Sequence, residues 1–395
     1  MSGLYIHIPF CKSRCIYCGF YSTTGMELRQ RYVDAVCREM ALRHKGDSSP
    51  ISTIYLGGGT PSQLTIAQLS QLFIYINKVY HLTEGQTPCE VTIEVNPDDV
   101  TEAFAEGLRE LPVNRVSMGV QTFDDNRLRF LHRRHTAEQV PQAVRNLRDA
   151  GIDNISIDLM YGFPGETLDD WQRDIDAALA LNVEHLSAYC LMVEEGTPLF
   201  EQMKGVTPSD SLCLGGEHDA AKTSPIQGSM EGSAEELERQ MYEVLTDRLT
   251  DSGYEHYEIS NFARPGFRSR HNSSYWHDVP YIGLGAAAHS YDGKGRYWNV
   301  ADIHQYIEAI ERGETPCDGE QLDGDTRYND RVTVALRTCE GLDLTTLSDR
   351  QRSYCLRAAQ RFLNDELLRL DGQHLVLTRK GLFVSDMIMA DLMIV

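Results

Sequence analysis

The sequence predicts an α/β protein: an incomplete barrel of six β/α units, followed by a small C-terminal α+β domain that resembles a winged helix. In the first half of the chain, six short runs rich in Ile, Val, Leu and Tyr alternate with longer helical runs. Such alternation is typical of repeated βα units around a parallel sheet. The tail, from about Asp325 onward, combines helical runs with a β-pair, LLRLDG and HLVLT, which indicates a separate small domain.

Each element is predicted from its composition and from the residues that end it. The predicted strands are Leu4–Ile8, Thr53–Leu56, Val91–Val95, Arg115–Val120, Ile155–Met160 and His185–Leu191, with a further strand over Tyr254–Ser260. The predicted helices are Leu28–Arg43, Ile66–Val79, Thr101–Glu110, Ala137–Ala150 (which Gly151 closes) and Leu168–Ala180. Parallel sheets place their sites at the carboxyl ends of the strands, so the unusual residues that follow the first five strands mark the expected site.

The chain divides into four predicted regions. Residues 1–204 form the barrel core, and residues 205–234, which are rich in Gly, Ser, Asp and Glu and lack periodicity, form a flexible surface insertion. Residues 235–316 complete and link the barrel and contain the segment HNSSYW, and residues 317–395 form the C-terminal α+β domain.

Composition excludes several classes of function. The 395 residues carry a formal net charge of −21, which argues against nucleic acid as the main partner and against docking to anionic lipid. No apolar run is long enough to cross a bilayer, and the N-terminus lacks a signal peptide, so we expect no transmembrane segment and a cytoplasmic location.

Three of the ten cysteines lie within eight residues. Cys11, Cys15 and Cys18 form the pattern C-x3-C-x2-C directly after the first strand. Three thiolates at this spacing can hold three irons of a [4Fe–4S] cluster, which leaves the fourth iron open to bind S-adenosylmethionine (SAM) for radical chemistry. The alternatives are a zinc site or a chance spacing, but structural zinc prefers four ligands and no second Cys/His pair lies nearby. The other cysteines are scattered, and a disulfide framework is not expected in a chain of this length without an export signal.

Around these cysteines the sequence resembles the radical SAM subgroup that contains oxygen-independent coproporphyrinogen III oxidase and the HemW-type heme chaperones. The matching segments are YIHIPFCKSRCIYCGF (5–20), YLGGGTPS (55–62), IEVNP (93–97), SMGVQTF (117–123), IDLMYGFPGET (157–167) and HNSSYW (271–276). The resemblance covers nearly the whole chain apart from the insertion. It implies the radical SAM barrel and, as cofactors, a [4Fe–4S] cluster and SAM.

Two features are similar to the chaperones and differ from the oxidases. The oxidases carry a fourth cysteine two places after the third, where this chain has Phe20, and they have a long arm before the cluster, where this chain has ten residues before Cys11. HNSSYW resembles a chaperone signature associated with heme binding. One departure is Gly19, where many chaperones have Asp. The resemblance therefore implies a heme chaperone that delivers heme to heme-requiring proteins, such as respiratory enzymes, with a protein that reduces the cluster as a further partner. The alternative is a porphyrinogen oxidase or another radical SAM enzyme in porphyrin metabolism, and no catalytic residue is assigned.

The resemblance also implies the site residues. Besides the three cysteines, the expected contacts to cluster and SAM are Tyr5, Tyr17, Phe20, Gly58, Gly59, Thr60, Glu94, Gln121, Arg133 and Asp158. From the residues themselves, Arg133 and Arg134 are equivalent, and the spacing from Gln121 in the family favours Arg133. His271 is the first candidate for heme binding and His289 a weaker one, while Arg268 and Arg270 are candidates for the heme propionates. Each of these residues also has a purely structural alternative, such as a tight turn, an ion pair or a buried hydrogen bond.

Overall fold

The computed structural model describes residues 2–44, 50–81, 89–204 and 231–395 of the chain. Six parallel strands at its centre alternate with helices, which confirms the predicted α/β class. The central strands are β1 (Ser2–Ile8), β2 (Ile51–Gly58), β3 (Glu90–Val95), β4 (Arg115–Gln121), β5 (Ile155–Tyr161) and β6 (His185–Cys190). The helices among them are α1 (Arg29–Arg43), α2 (Ile66–Tyr80), α3 (Glu102–Arg109), α4 (Asp125–Phe130), α5 (Gln139–Asp149) and α6 (Leu168–Ala180).

Local sequence explains these elements well. The strands are almost continuously buried, as expected for a parallel sheet covered by helices. Helix α6 begins with a capping box in which Thr167 and Asp170 each bond the other's backbone, and its buried face repeats at helical spacing through Trp171, Ile175 and Ala178. Helix α5 ends where Gly151 adopts a positive φ of 84°, as its sequence predicts.

The sheet extends beyond the six predicted strands on both sides. The further elements are α7 (Pro198–Met203), α8 (Glu231–Asp251), β7 (Glu255–Glu258), β8 (Asn261–Ala263), α9 (Arg270–Trp276), β9 (Tyr281–Leu284), β10 (His289–Tyr291), β11 (Gly295–Asn299), α10 (Ile303–Arg312) and β12 (Cys317–Gln321). The strand order is β12-β11-β10-β9-β1-β2-β3-β4-β5-β6-β8-β7, in which β9 pairs in parallel with β1 and β8 pairs antiparallel with β6. Among the described strands, β12 and β7 lie at the two ends of this order, so the barrel is incomplete.

The C-terminal domain has its own sheet and its own apolar core. It comprises α11 (Gly324–Ala335), β13 (Leu342–Asp343), α12 (Asp349–Asn364), β14 (Leu368–Asp371), β15 (His374–Leu377), α13 (Arg379–Leu382) and α14 (Ser385–Leu392). The strands form a three-stranded sheet in the order β13-β15-β14, and the core runs from Tyr328 to Leu392. Residues 317–321 belong to β12 of the main sheet instead, so the domain begins after the predicted boundary at residue 317.

Two further expectations concern the insertion and membranes. The predicted flexible insertion lies outside the described residues up to residue 230, and the described chain is already helical from Glu231. In the parts of the chain that the structure describes, no helix is both long and apolar enough to cross a membrane.

Candidate functional site

Two adjoining cavities lie along the central strands, one at their carboxyl ends and the other extending down to Arg115 at the start of β4. The first, which we call the cysteine pocket, has a volume of about 200 Å³ and contains the loop with Cys11, Cys15 and Cys18. The second, which we call the side cavity, has a volume of about 550 Å³ and extends toward β5 and β6. The two share the residues Tyr17, Cys18, Phe20, Glu94, Ser117, Gln121 and Asp158. Most of the predicted site residues are therefore brought together at one edge of the sheet.

The cysteine loop is fixed by backbone hydrogen bonds. The Cys11 N–H donates to the Thr23 carbonyl at 2.9 Å, and the Ile16 N–H donates to the Leu131 carbonyl at 3.3 Å. Burial raises the pKa of the Cys11 and Cys18 thiols, so they favour the neutral thiol unless a metal holds them as thiolates. Thr60 Oγ1 lies 3.5 Å from Cys11 Sγ and Arg133 Nη1 lies 3.7 Å from Cys15 Sγ.

This donor set fits an iron–sulfur cluster better than a single metal ion. Among the described residues, no three His, Cys, Asp or Glu side chains converge closely enough to hold one ion. A cubane cluster instead takes each thiolate on a different iron, so its cysteines stand further apart. The positive charge of Arg133 next to Cys15 favours thiolate ligands.

The glycine run serves the chain's own packing. A Cβ on Gly58, whose φ is 108°, would collide with the His7 ring, and a Cβ on Gly59 would lie 2.7 Å from the Pro9 carbonyl carbon. We expected these glycines to allow close approach of a ligand. Both glycines line the cysteine pocket. The structure shows, however, that glycine is needed here because β2 contacts the end of β1 too closely to leave room for a side chain.

Glu94 is held by both of its carboxylate oxygens. The Tyr55 hydroxyl donates to Oε1 at 2.7 Å, and the Gly58 N–H donates to Oε2 at 3.0 Å. Burial raises the pKa of Glu94 to about 7, to which the nearby Asp158 carboxylate also contributes. Glu94 is thus a fixed carboxyl group in the pocket wall that changes charge near neutral pH.

Asp158 and Gln121 come from adjacent strands at a break in their register. Ser117 Oγ donates to Asp158 Oδ2 at 3.4 Å, and burial raises the pKa of the Asp158 carboxyl, while a hydrogen bond from the Ser187 side chain and then the charge of Arg115 partly offset this effect. The β4–β5 register shifts between Gly119 and Gln121, and Gln121 adopts a φ of 69°. Non-glycine residues with positive φ are concentrated at functional sites, and here the shift accompanies a Gln121 side chain that lines both cavities.

The structure separates the two neighbouring arginines. Arg133 donates to Asn96 Oδ1 at 2.7 Å and to the Gly119 carbonyl, while its Nε has no hydrogen-bond partner. Arg134 pairs with Asp98 at 2.8 Å and Asp99 at 3.1 Å. Both line the cysteine pocket, but Arg134 is already neutralised by protein carboxylates. This geometry supports Arg133 as the group that receives an anionic ligand.

The aromatic candidates are placed differently from one another. Tyr17 lines both cavities, and Phe20, which is 70% exposed, lies at their common mouth. Tyr5 does not line either cavity. Its hydroxyl hydrogen-bonds with His7 Nδ1 at 2.9 Å and its ring stacks on Tyr55, with the ring centroids 6.2 Å apart. Tyr5 is therefore not placed to contact a ligand in either cavity.

His271 is part of the packing beneath the pocket. It is fully buried, its Nδ1 lies 2.9 Å from Thr53 Oγ1, and its Nε2 lies 2.9 Å from the Tyr275 hydroxyl. Its ring stacks on Tyr55 with the centroids 5.0 Å apart. Because both ring nitrogens are engaged, the structure does not present His271 to a heme iron, and its role as heme ligand stays a prediction.

The predicted propionate partner Arg268 is also engaged. Its guanidinium pairs with Glu255 at 2.8 Å and with Glu340 at 2.6 Å. It thereby joins the main sheet to the C-terminal domain, which is a structural role. The weaker heme candidate, His289, lies on β10, which is not part of either cavity wall.

Two functional candidates were not singled out from the sequence. Tyr55 donates a hydrogen bond to Glu94 and lines the side cavity. A tyrosine in the middle of a strand is an ordinary strand residue, so the sequence did not mark it as a site residue. Arg115, the first residue of β4, also lines the side cavity and is only 1% exposed. A charged residue that opens a buried strand is a signal that could have been used, because burying a charge without a partner is costly.

Two regions of the chain match the models of known families. Residues 5–178 match the model of the radical SAM superfamily, and residues 322–384 match the model of the HemN C-terminal domain. The second match begins directly after β12, in agreement with the structural boundary.

Comparison with individual proteins covers nearly the whole chain. The heme chaperone HemW of Bacillus subtilis is 35% identical over 87% of this chain and 85% of its own length. The heme chaperone HemW of Mycobacterium tuberculosis is 32% identical over 99% of this chain and 94% of its own length. Among solved structures, coproporphyrinogen III oxidase (HemN) of Escherichia coli aligns with a TM-score of 0.78 and 23% identity, covering 99% of this chain and 89% of that one, which shows a shared fold.

Proposed function

The chain belongs to the HemW heme chaperone family of the radical SAM superfamily, and on this basis we propose that it binds a [4Fe–4S] cluster, SAM and heme and passes the heme to heme-requiring proteins. The observation that carries the proposal is the match over nearly the entire length to relatives named as heme chaperones. The cysteine pocket supports the cofactor part, because it combines three thiols, a half-buried arginine and two half-buried carboxyl groups.

The residues of the pocket suit the two cofactors. Cys11, Cys15 and Cys18 would hold three irons of the cluster, and Arg133 would pair with the SAM carboxylate. Glu94, Gln121 and Asp158 would hydrogen-bond the SAM ammonium and ribose, with Gly58, Gly59 and Thr60 forming the adjacent wall. The bound cluster and SAM supply one-electron chemistry, while the protein's part is to orient the ligands and fix their charges.

We do not propose that the protein oxidises coproporphyrinogen III. The oxidase subgroup carries a fourth cysteine where this chain has Phe20, and Phe20 lies exposed at the mouth of the pocket. The likeness to the E. coli oxidase is one of fold, at 23% identity. The further partners that we propose are a protein that reduces the cluster and heme acceptors such as respiratory enzymes, and the location that we propose is the cytoplasm.

The proposal is tested by two assays on the cluster-loaded protein. Titration with hemin, followed by its absorption spectrum, should saturate at a fixed number of hemes per chain. Incubation with coproporphyrinogen III, SAM and a reductant should release no carbon dioxide. Saturable heme binding without decarboxylation supports the chaperone. Absence of saturable binding would reject it, and steady decarboxylation would make the chain an oxidase.

A further inference from the structure

Asp99 is a buried carboxylate that connects several loops around the cysteine pocket. It lies in the turn after β3, and its side chain is only 4% exposed. Its Oδ1 accepts hydrogen bonds from Lys12 Nζ and from Arg134 Nη2, each at 3.1 Å. Its Oδ2 accepts from Ser62 Oγ at 2.8 Å and from the side-chain amide of Gln63. A buried carboxylate is costly without such partners, and here they come from three other loops.

The four loops that meet at Asp99 are the ones that supply most of the predicted contacts to the cluster and SAM. The first is the cysteine loop after β1, and the second follows β2 and contains Thr60. The third follows β3 and contains Asp99 itself, and the fourth connects α4 to α5 and contains Arg133. Asp99 is not one of the residues that line the cysteine pocket, so it acts on the pocket through these loops.

The contact with Lys12 is the tether of the outer part of the cysteine loop. Within the described part of the chain, it is the only hydrogen bond formed by residues 12–14, which connect the first two cysteines of the loop. The backbone bonds of the loop lie on either side of this stretch. The Lys12 side chain is 53% exposed, whereas the carboxylate that it contacts is buried. Asp99 is therefore the fixed end of the contact, and the position of Lys12 depends on it.

Asp99 also places a negative charge among the cations beside the cysteine loop. It pairs with Lys12 and Arg134, so it offsets part of the positive potential that both side chains produce at the thiols. Arg134 has a second partner in Asp98 at 2.8 Å, but among the described residues Asp99 is the only ion-pair partner of Lys12. Removing the Asp99 charge makes this potential more positive, and removing the Lys12 charge makes it more negative. The two changes therefore act in opposite directions on a cluster that gains an electron.

We propose that Asp99 is a positioning residue of the cofactor site. Through Lys12 it holds the cysteine loop against the loops that carry Thr60 and Arg133, and it thereby sets the affinity for SAM and the reduction potential of the cluster without contacting either. This inference rests on the proposed function, of which it uses only the cluster and SAM. The competing interpretation is that Asp99 contributes to stability alone, in which case its removal changes neither the affinity nor the potential.

The test compares Asp99→Asn with Glu184→Gln in the cluster-loaded full chain. Glu184 is a matched control, because this half-buried carboxylate pairs with Arg148 at 3.0 Å and accepts from the Ile155 N–H at 3.1 Å, at the amino end of β5. Asp99→Asn should weaken SAM binding at least fivefold in equilibrium dialysis. It should also shift the reduction potential, measured without SAM by a redox titration followed by electron paramagnetic resonance, to a less negative value. Glu184→Gln should change neither quantity.

Two checks accompany this comparison. Asp99→Glu, which keeps the charge, should recover part of the SAM affinity. Far-UV circular dichroism and iron content show that each variant is folded and loaded with its cluster.

Lys12→Gln keeps the inference testable even if Asp99→Asn does not fold, since it changes a half-exposed side chain. It should weaken SAM binding and shift the potential to a more negative value, opposite to the shift in Asp99→Asn. Wild-type SAM affinity in Asp99→Asn, or an unchanged or less negative potential in Lys12→Gln, would overturn the inference while leaving the proposed function intact. If the wild type takes up no cluster or binds no SAM, the proposed function itself fails.

Discussion

The Tyr55 hydroxyl donates a 2.7 Å hydrogen bond to Oε1 of Glu94. This bond connects the aromatic packing around Tyr55 to Glu94 in the wall of the cysteine pocket. The Tyr55 ring lies between neighbours on β1 and α9, since it stacks on Tyr5 at 6.2 Å and on His271 at 5.0 Å. Within the HNSSYW segment, Asn272 lines the side cavity directly, and His271 stacks on Tyr55, which holds Glu94. His271, which the family resemblance associates with heme, thus packs here against the residue that donates to Glu94.

We expect SAM binding to weaken as the pH falls through about 7. The pKa of Glu94 is raised to about 7, so the carboxylate that would accept hydrogen bonds from SAM is lost below that pH. Tyr55→Phe removes a hydrogen bond that lowers this pKa, so the midpoint of the SAM-binding profile should move to higher pH. Equilibrium dialysis with SAM between pH 6 and pH 9 measures both profiles.

The control for this prediction is Tyr354→Phe, which removes the half-buried hydrogen bond that the Tyr354 hydroxyl donates to the Met393 carbonyl in the C-terminal domain. Its profile should coincide with that of the wild type. A Tyr55→Phe profile that is not displaced would show that the Tyr55 hydroxyl does not set the charge of Glu94.

Arg133→Ala should weaken SAM binding at least tenfold and spare the cluster. The reason is that a half-buried guanidinium that lines the pocket can pair bidentately with a carboxylate, a contact worth about 1.5–3 kcal/mol for hydrogen bonds to charged groups. Arg134→Ala is the matched control, because Arg134 is already paired with Asp98 and Asp99. If Arg134→Ala causes the larger loss, the assignment of the two arginines is reversed.

Cys15→Ser should abolish the [4Fe–4S] cluster. The three cysteines of the loop are its only ligands in our account, so serine at this position leaves one iron without a thiolate. Anaerobic reconstitution with iron and sulfide, followed by iron analysis, measures the effect. Cys339→Ser, at an exposed cysteine outside the loop, should retain four irons per chain. Four irons in Cys15→Ser as well would reject the ligand assignment.

His271→Ala should lower the free energy of unfolding by about 2–4 kcal/mol, since it opens a cavity beside Tyr55 and leaves Thr53 Oγ1 and the Tyr275 hydroxyl without their partner. Urea unfolding of the variant and of His289→Ala, an exposed histidine on β10, measures the difference. An unchanged stability together with a large loss of heme affinity would instead support His271 as a heme ligand.

The sequence predicted the parallel core because each of its strands and helices is locally consistent. Helix α6 was predicted with its observed bounds, Leu168–Ala180, and the structure shows the local cause, a capping box at its start and a buried face with helical spacing. By contrast, β8 and β10 have only three residues each, too few for alternation to be recognised. The parallel pairing of β9 with β1 joins residues that are nearly the whole chain apart, which no local pattern encodes.

Site residues that belong to a recognisable sequence motif could be predicted. The role of a residue could not be predicted where it depends on how distant parts of the chain pack together. The cysteines, Glu94, Gln121, Arg133 and Asp158 were predicted from motifs, and the structure places all of them around one pocket. Tyr5, His271 and the glycine run also lie in motifs, yet their contacts are to other parts of the chain. Their roles depend on which residues β1, β2 and α9 bring together, and this is a property of the fold.

Heme release tests the central claim most directly. The protein is loaded with hemin, freed of excess hemin by gel filtration, and mixed with an equimolar amount of apomyoglobin as a heme-accepting probe. A chaperone must give up its heme, so we predict that the spectrum of the loaded protein is replaced by that of heme-bound myoglobin, with the [4Fe–4S] cluster intact and the heme chemically unaltered. Permanent retention of the heme by the chain, or its conversion to a different porphyrin, would contradict the account.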